Sequence, residues 1–584
     1  MKKICYLLTL LLAISACKKS GDFLDNKDDS AFTEESVFAD SARTMDFLAR
    51  IYSDIHASYS KSRWDSKGNL EQTCDEAEYR NIGGTEKTIV VVYATFNANN
   101  VPFADVWTTG YANIRRANIY LQKADGSPLS AALKARTKAE ARFLRAWYYF
   151  MMVKTFGGIP IIGDKVFEAS DEVNVPRNTY AESVDYLIKE LDQIAAALPL
   201  VDDYPERDYG RVTRGAALSL KSRILLYAAS PLFNGGAITS DPVKAALVSY
   251  PAASLSRWAD AAKAAEDVIN LNQYALMKDN STPGLGFSKV FLTRAPNPEF
   301  IFAQLKPNNK DLENFYNPPS RGGNWYSSPT QNLVNDFGTI NGKPIATDLK
   351  SPSNPQGYDA ANPYSNRDPR MGYTVIYNGA LWFNKTTNRK DPVYTFIGAG
   401  GTMDSISIKT PYSGSSTGYY CRKMCDENVS ANGTATTQRG YAMIRYAEIL
   451  LNYAEAINES GQTSKAYPKL IEIRDRAGIK AGTDGLYGLK ANMSQEEMRA
   501  VIQNERRVEL AFEEHRFWDV RRWKIAEQTD NVTTQGIKIT KSGSTYTYAL
   551  TPVRKHNFRP AMYVLPIPQT EISKMPALIQ NPGW

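Results

Sequence analysis

The chain has 584 residues but only three histidines, His56, His515 and His556, and five cysteines. So few histidines leave a His-based triad or a histidine metal centre almost without candidates, and no His-Glu-x-x-His pair occurs. No P-loop and no complete dinucleotide fingerprint are present either. Past the first dozen residues, no apolar run reaches the roughly 20 residues of a membrane-spanning helix. Lys and Arg number 69 against 62 Asp and Glu. The two signs are interspersed, so no basic stripe marks a nucleic-acid partner. Gly414-Ser415-Ser416-Thr417-Gly418 has the letters of a hydrolase nucleophile elbow, but both flanks read as loop rather than strand and helix. Carboxylate pairs for glycoside hydrolysis have a separation that sequence does not show. No catalytic residue is assigned, and the expectation is a protein that is not an enzyme.

What is present starts at the N-terminus. Lys2 and Lys3 precede an apolar run from Ile4 to Leu12, a charged n-region and a short h-region of a secretory signal. Ser15 and Ala16 directly before Cys17 resemble a bacterial lipobox, which implies cleavage at residue 16 and acylation of Cys17. Several acyl chains, at about 0.8 kcal/mol per buried methylene, would anchor the mature chain permanently. Of the other cysteines in the mature chain, Cys74, Cys421 and Cys425 cannot make a disulfide framework, since one of three must stay unpaired. Cys421 and Cys425 are close enough in sequence for a local bridge or can remain plain thiols.

Residues 17–31 read as a polar, acidic tether. Residues 32–274 carry apolar positions at helical spacing in segments near 34–59, 107–122, 129–156, 179–197, 213–230 and 258–271. Alanines at 216, 217, 228, 229, 261, 262, 264 and 265 permit close approach of helices. The helix–turn–helix rhythm suggests degenerate tetratricopeptide-like repeats without a strict 34-residue period. Residues 275–440 change to Pro, Gly, Asn and Ser, with short strands at 299–304, 373–377 and 392–396. An unstructured stretch that long is at odds with a compact fold, so it is expected to pack as functional loops. Residues 441–584 return to helices at 441–459, 463–477 and 494–526, the last opened by a Ser494/Glu497 capping box, before a tail of short strands and Pro-rich turns. The fold class is mainly α, with helical repeats supporting a loop-rich ligand-binding lobe.

Several segments together resemble the SusD/RagB family of nutrient-binding outer-membrane lipoproteins. They are Asp22-Phe23-Leu24-Asp25; Trp107, Tyr111, Ile114 and Asn118; Ala139 to Ala146; Asn366-Arg367-Asp368-Pro369-Arg370-Met371; Tyr446 to Ala456; and Ile473 to Gly478. Glu505 to Glu513 leading into Arg516-Phe517-Trp518-Asp519-Val520-Arg521-Arg522-Trp523 is the most distinctive, with Leu565-Pro566-Ile567-Pro568 and Gln580 to Trp584 closing the chain. Glu505, Glu509 and Glu513 fall one helical turn apart, and together with Glu448, Glu455, Arg474, Arg476, Arg506 and Arg507 they read as scaffold ion pairs.

The resemblance implies an oligosaccharide ligand, or peptide as in the RagB branch, and a SusC-like TonB-dependent transporter as partner. It also implies an outer-membrane location facing the cell exterior. It places the ligand site on loops of the middle region and on the loop after the first helix. Sugar rings offer an apolar C–H face and a rim of hydroxyls, which aromatic platforms and Asn or Arg groups answer. The candidates are therefore Trp325, Tyr326, Arg321, Asn324 and Tyr316, Trp64 and Arg80 from the earlier loop, and Trp382 as a weaker patch. No cofactor is expected, and a structural calcium ion would leave no readable trace.

Overall fold

Between residues 104 and 270 apolar spacing and end signals set the long helices where the periodicity placed them. The computed structural model describes residues 33–55, 64, 66–80, 84, 86–407 and 414–584. The expected signal peptide, the tether to residue 31 and Cys17 lie outside the described residues. Helices α1 (Ser41–Ser53), α2 (Ala104–Lys123), α3 (Ala131–Phe156), α4 (Tyr180–Ala195), α5 (Arg214–Ala229) and α6 (Ser256–Ile269) make the first half. Ser130 caps α3 by accepting from the Leu133 N–H, and Gly157 ends it at a φ of 79°. A side chain at Gly157 would meet the Leu247 carbonyl, so the stop is required by packing as well as by backbone. Residues 143–153 of α3 are buried all round, which makes it the axis on which α2 and α4 pack. The alanines of α5 and α6 are buried between those two helices, as their small size implies.

The middle region is threaded by short strand pairs. β1 (Ala77–Tyr79) pairs with β3 (Ser327–Pro329), β4 (Ala380–Asn384) with β5 (Arg389–Val393), and β2 (Phe300–Lys306) with β6 (Arg439–Arg445). The last pairing corrects the expected start of a helix at 441. Residues 441–445 are strand, in register with Phe300 to Gln304, and α7 begins only at Tyr446 (Tyr446–Glu459). Most of 373–377 likewise is not strand, because Asp368 caps a helical turn Pro369–Thr374 that leaves only Val375–Ile376 extended. Pro468 follows a 3₁₀ turn at Thr463–Ala466 and enters the first turn of α8 (Tyr467–Arg476).

The expected helix over 494–526 is two helices, α9 (Gln495–Glu509) and α10 (Arg516–Arg522). Phe512 and Glu514 turn the chain between them at φ of 60° and 64°. The Glu509 carbonyl accepts from Lys423 Nζ at 2.8 Å and Arg445 Nη2 at 2.9 Å, and the Phe512 N–H donates to Glu76 Oε1 at 2.8 Å. Groups that would continue the helix are thus committed elsewhere. The tail is also more ordered than short strands and turns. β7 (Thr533–Ser542) and β8 (Thr545–Lys555) form the longest hairpin in the described chain, joined at Gly543-Ser544.

The family-like charges lie in the core as ion pairs. Arg370, Lys423, Arg445, Arg474 and Arg476 meet Glu299, Asp368, Glu505, Glu509 and Glu513, five cations against five carboxylates. Arg522 pairs with Glu455 at 2.5 Å, Arg506 with Asp519 at 3.1 Å and Arg223 with Glu448 at 2.5 Å. These pairs tie β2, β6, α5 and the C-terminal helices into one body.

Candidate functional site

The motif at 414–418 is no nucleophile. Ser415 is buried, its hydroxyl donates to the Tyr419 carbonyl at 2.6 Å and accepts from the Gly418 N–H at 2.9 Å, so it closes a turn. His515 is half-buried 3.9 Å from Glu448, and desolvation pushes its imidazole down to about 4 despite that carboxylate, so it is neutral at ordinary pH. His556 is buried against Glu78 at 2.8 Å. Cys74, Cys421 and Cys425 are buried thiols rather than a bridge. Among the described residues no group of three metal-binding side chains converges, and no helix is long and apolar enough to cross a membrane.

The aromatic candidates divide by burial. Trp64 is 2% exposed, donates its indole N–H to the Pro102 carbonyl at 3.0 Å and stands edge-on to Phe103. Tyr316 is fully buried with its hydroxyl 2.5 Å from Glu71, and Trp382 is fully buried beside Arg422. Arg321 is buried too, donating to the Asp391 carbonyl at 2.8 Å. These four expected ligand contacts are packing groups in this conformation, because their polar atoms and faces are engaged by the scaffold or covered by it.

Four others meet at the surface, brought together by the pairing of β1 with β3. That register continues past the strands, with the Arg80 N–H donating to the Tyr326 carbonyl at 3.2 Å. Arg80 Nη1 donates to the Asn324 carbonyl at 2.7 Å. Its guanidinium then lies 4.8 Å from the Trp325 ring centre and 4.7 Å from that of Tyr326, so one cation serves two half-exposed rings. Trp325 is held at a φ of 38°, a left-handed conformation unusual for a bulky residue. Its position is fixed on both sides: the Asn324 N–H donates to the Asn314 carbonyl at 2.9 Å, and the Tyr326 N–H to the Phe315 carbonyl at 3.0 Å. The Trp325 indole N–H is buried and, among the described residues, has no hydrogen-bond partner. A strained backbone that presents a half-exposed aromatic ring beside a guanidinium is suited to a ligand with both C–H faces and acceptor oxygens.

Sequence reading missed what holds this platform. Gln72 Nε2 donates to the Tyr326 carbonyl at 2.9 Å. Asp75 is buried between Arg507 at 2.5 Å and Arg516 at 2.8 Å, and Glu78 between Arg554 at 3.2 Å and His556. Burial opposes ionisation of Asp75, but the two arginines outweigh it and hold the carboxyl well below the usual range. The only sequence signal was three acids in five residues ahead of Arg80. Asp75→Asn is expected to cost about 3 kcal/mol by leaving Arg507 and Arg516 buried without their anion. The denaturant midpoint measures this, and a midpoint equal to that of the unmodified chain would contradict it.

Two larger grooves lie elsewhere. One of about 970 Å³ runs between the 335–347 loop and α9, and one of about 570 Å³ between α2 and the 160–175 loop. Neither includes Trp325 or Tyr326.

The mainly helical body with its loops and short strand pairs is an architecture shared with solved proteins. A SusD-like protein from Bacteroides fragilis has 26% identity and a TM-score of 0.77, over 95% of this chain and 99% of that one. A SusD-like carbohydrate-binding protein from the same species has 25% identity and a TM-score of 0.72, over 93% and 100%. SusD-like protein P2 of Formosa agariphila is 24% identical over 89% of this chain and 90% of its own. The family model described as SusD family matches residues 298–584, and one described as starch-binding, associating with outer membrane, matches residues 22–226. The chain belongs to the SusD/RagB family.

Proposed function

We propose that this protein binds oligosaccharide on the Arg80–Asn324–Trp325–Tyr326 surface and passes it to a SusC-like TonB-dependent transporter in the outer membrane. The observation that carries the reading is the guanidinium shared by two half-exposed rings. Rings pack on the C–H faces of a sugar, and the guanidinium and the exposed Asn324 amide address its hydroxyls. Support also comes from the relative whose description is carbohydrate-binding and from the starch-binding description of the N-terminal family model. In this reading acylated Cys17 holds the protein at the outer membrane, facing the exterior, and no cofactor or catalytic group takes part.

Titrating the purified chain with a panel of oligosaccharides and a panel of short peptides tests the ligand class. Heat of binding with a glycan is expected, weakened by Trp325→Ala, with the glycan recovered uncleaved after prolonged incubation, and no peptide is expected to give heat that this substitution removes. Binding confined to peptides would replace the glycan reading with a RagB-like one, and shortened glycan products would replace binding with hydrolysis.

A further inference from the structure

The β7–β8 hairpin is open along one edge. Ser542 and Thr545 flank the two-residue turn, and Tyr546, Tyr548 and Leu550 stand opposite Lys541, Ile539 and Ile537. In an antiparallel pair, alternate residues turn their backbone N–H and C=O away from the partner strand. On β7 these outward groups are used. Lys541 N–H donates to the Ile397 carbonyl at 3.2 Å, Ile397 N–H to the Ile539 carbonyl at 2.8 Å, and Ile537 N–H to the Thr417 carbonyl at 2.8 Å. The matching positions on β8 are Tyr546, Tyr548 and Leu550. Among the described residues no hydrogen bond reaches their outward N–H or C=O groups. Leu550 is 65% exposed, and Thr545, Thr547 and Ala549 are exposed as well. Pro552, the next outward position, has no N–H and closes the edge.

Protein edges of this length are usually blunted by charge, and from Gly543 to Val553 there is none. The charge sits on the flanks instead and has one sign. Lys538 and Lys555 are exposed and Lys541 is half-exposed, while no Asp or Glu occurs between residues 531 and 570. A second copy of this chain would bring like charges together across such a pairing. An acidic partner would neutralise them.

We propose that the open edge of β8 is a docking site for an extended segment of a partner polypeptide, uncharged at its centre and acidic at its ends, which adds as a further strand. Only a polypeptide backbone offers the alternating donors and acceptors that Tyr546, Tyr548 and Leu550 leave unmet, and strand addition is a recurrent mode of peptide capture. The site is separate from the aromatic platform, although the same hairpin braces that platform's base through Arg554 and His556 on Glu78.

Amide hydrogen exchange on the full chain tests this, with a capped peptide of about ten residues in which Thr-Val repeats lie between Asp-Glu ends. The amides of Tyr546, Tyr548 and Leu550 are expected to exchange at least about tenfold more slowly with the peptide, and Lys-ended or backbone N-methylated versions are expected to have no effect. Unchanged exchange at the highest soluble peptide concentration overturns the proposal. Equal slowing by the Lys-ended or N-methylated peptide does so too, as does slowing that follows protein concentration alone and so indicates pairing between copies. Because the ligand is varied and not the protein, a misfolded variant does not enter the result.

Discussion

Trp325→Ala is expected to weaken oligosaccharide binding by at least about 30-fold, the factor that corresponds to about 2 kcal/mol for a buried aromatic anchor. The substitution removes the ring that Arg80 faces at 4.8 Å. Trp325→Phe keeps a smaller aromatic ring at the same position, so an intermediate affinity is expected if stacking supplies the binding. The cost in stability should be small. The side chain is half-exposed, and Ala meets the same left-handed backbone that Trp already occupies. Isothermal titration with a glycan that binds the unmodified chain reads the affinity, and circular dichroism confirms the fold. An affinity within twofold of the unmodified chain would remove Trp325 from the site.

Loop context among Asn, Gly and Arg singled out Trp325, which the structure leaves half-exposed, and the same reasoning put forward Trp64, Tyr316 and Trp382, which it buries. Residue type and loop context do not encode which ring faces inward. Trp64 is turned in by the Pro102 carbonyl, and Tyr316 by Glu71, some 245 residues away in sequence. Such distant partners have no local signature. The helical body was legible because 3.6-residue spacing and caps are local, and α3 and α4 lie within two residues of their expected bounds. The strand at 439–445 was hidden because its partner is Phe300–Lys306, and an apolar run before a strong helix reads as more helix. The β7–β8 hairpin did carry a local signal, an alternating Ile-Lys-Ile-Thr-Lys run ending at Ser-Gly-Ser, which the surrounding prolines masked.

Glu509→Ala is expected to have the largest effect on stability of any single change in the helical body. Glu509 is fully buried and receives Arg370 at 2.9 Å and Arg445 at 2.8 Å, with Arg476 also in contact. Removing it leaves three guanidinium groups in the core with too little negative charge, a defect that costs about 3–5 kcal/mol when one partner of a buried pair is lost. Solvating those charges would require opening the junction of α8, α9 and β6. The pH dependence gives an independent check. Burial alone would raise the Glu509 carboxyl, but Arg476, Arg445 and Arg370 overcome that and hold it well below the usual range. Glu513 is likewise held at about 2 by Arg445 and Lys423 against the opposing effect of burial. In the unfolded chain both carboxyls titrate near the ordinary value of about 4.3. The unfolded state therefore binds more protons between about pH 4.5 and 2, and native stability falls as pH drops through that window. Urea midpoints across that range should decline steeply for the unmodified chain and more shallowly for Glu509→Ala, which has lost one of the depressed groups. Parallel slopes, or a midpoint at pH 7 unchanged by the substitution, would mean that the arginines find other anions and that Glu509 is not the centre of this network.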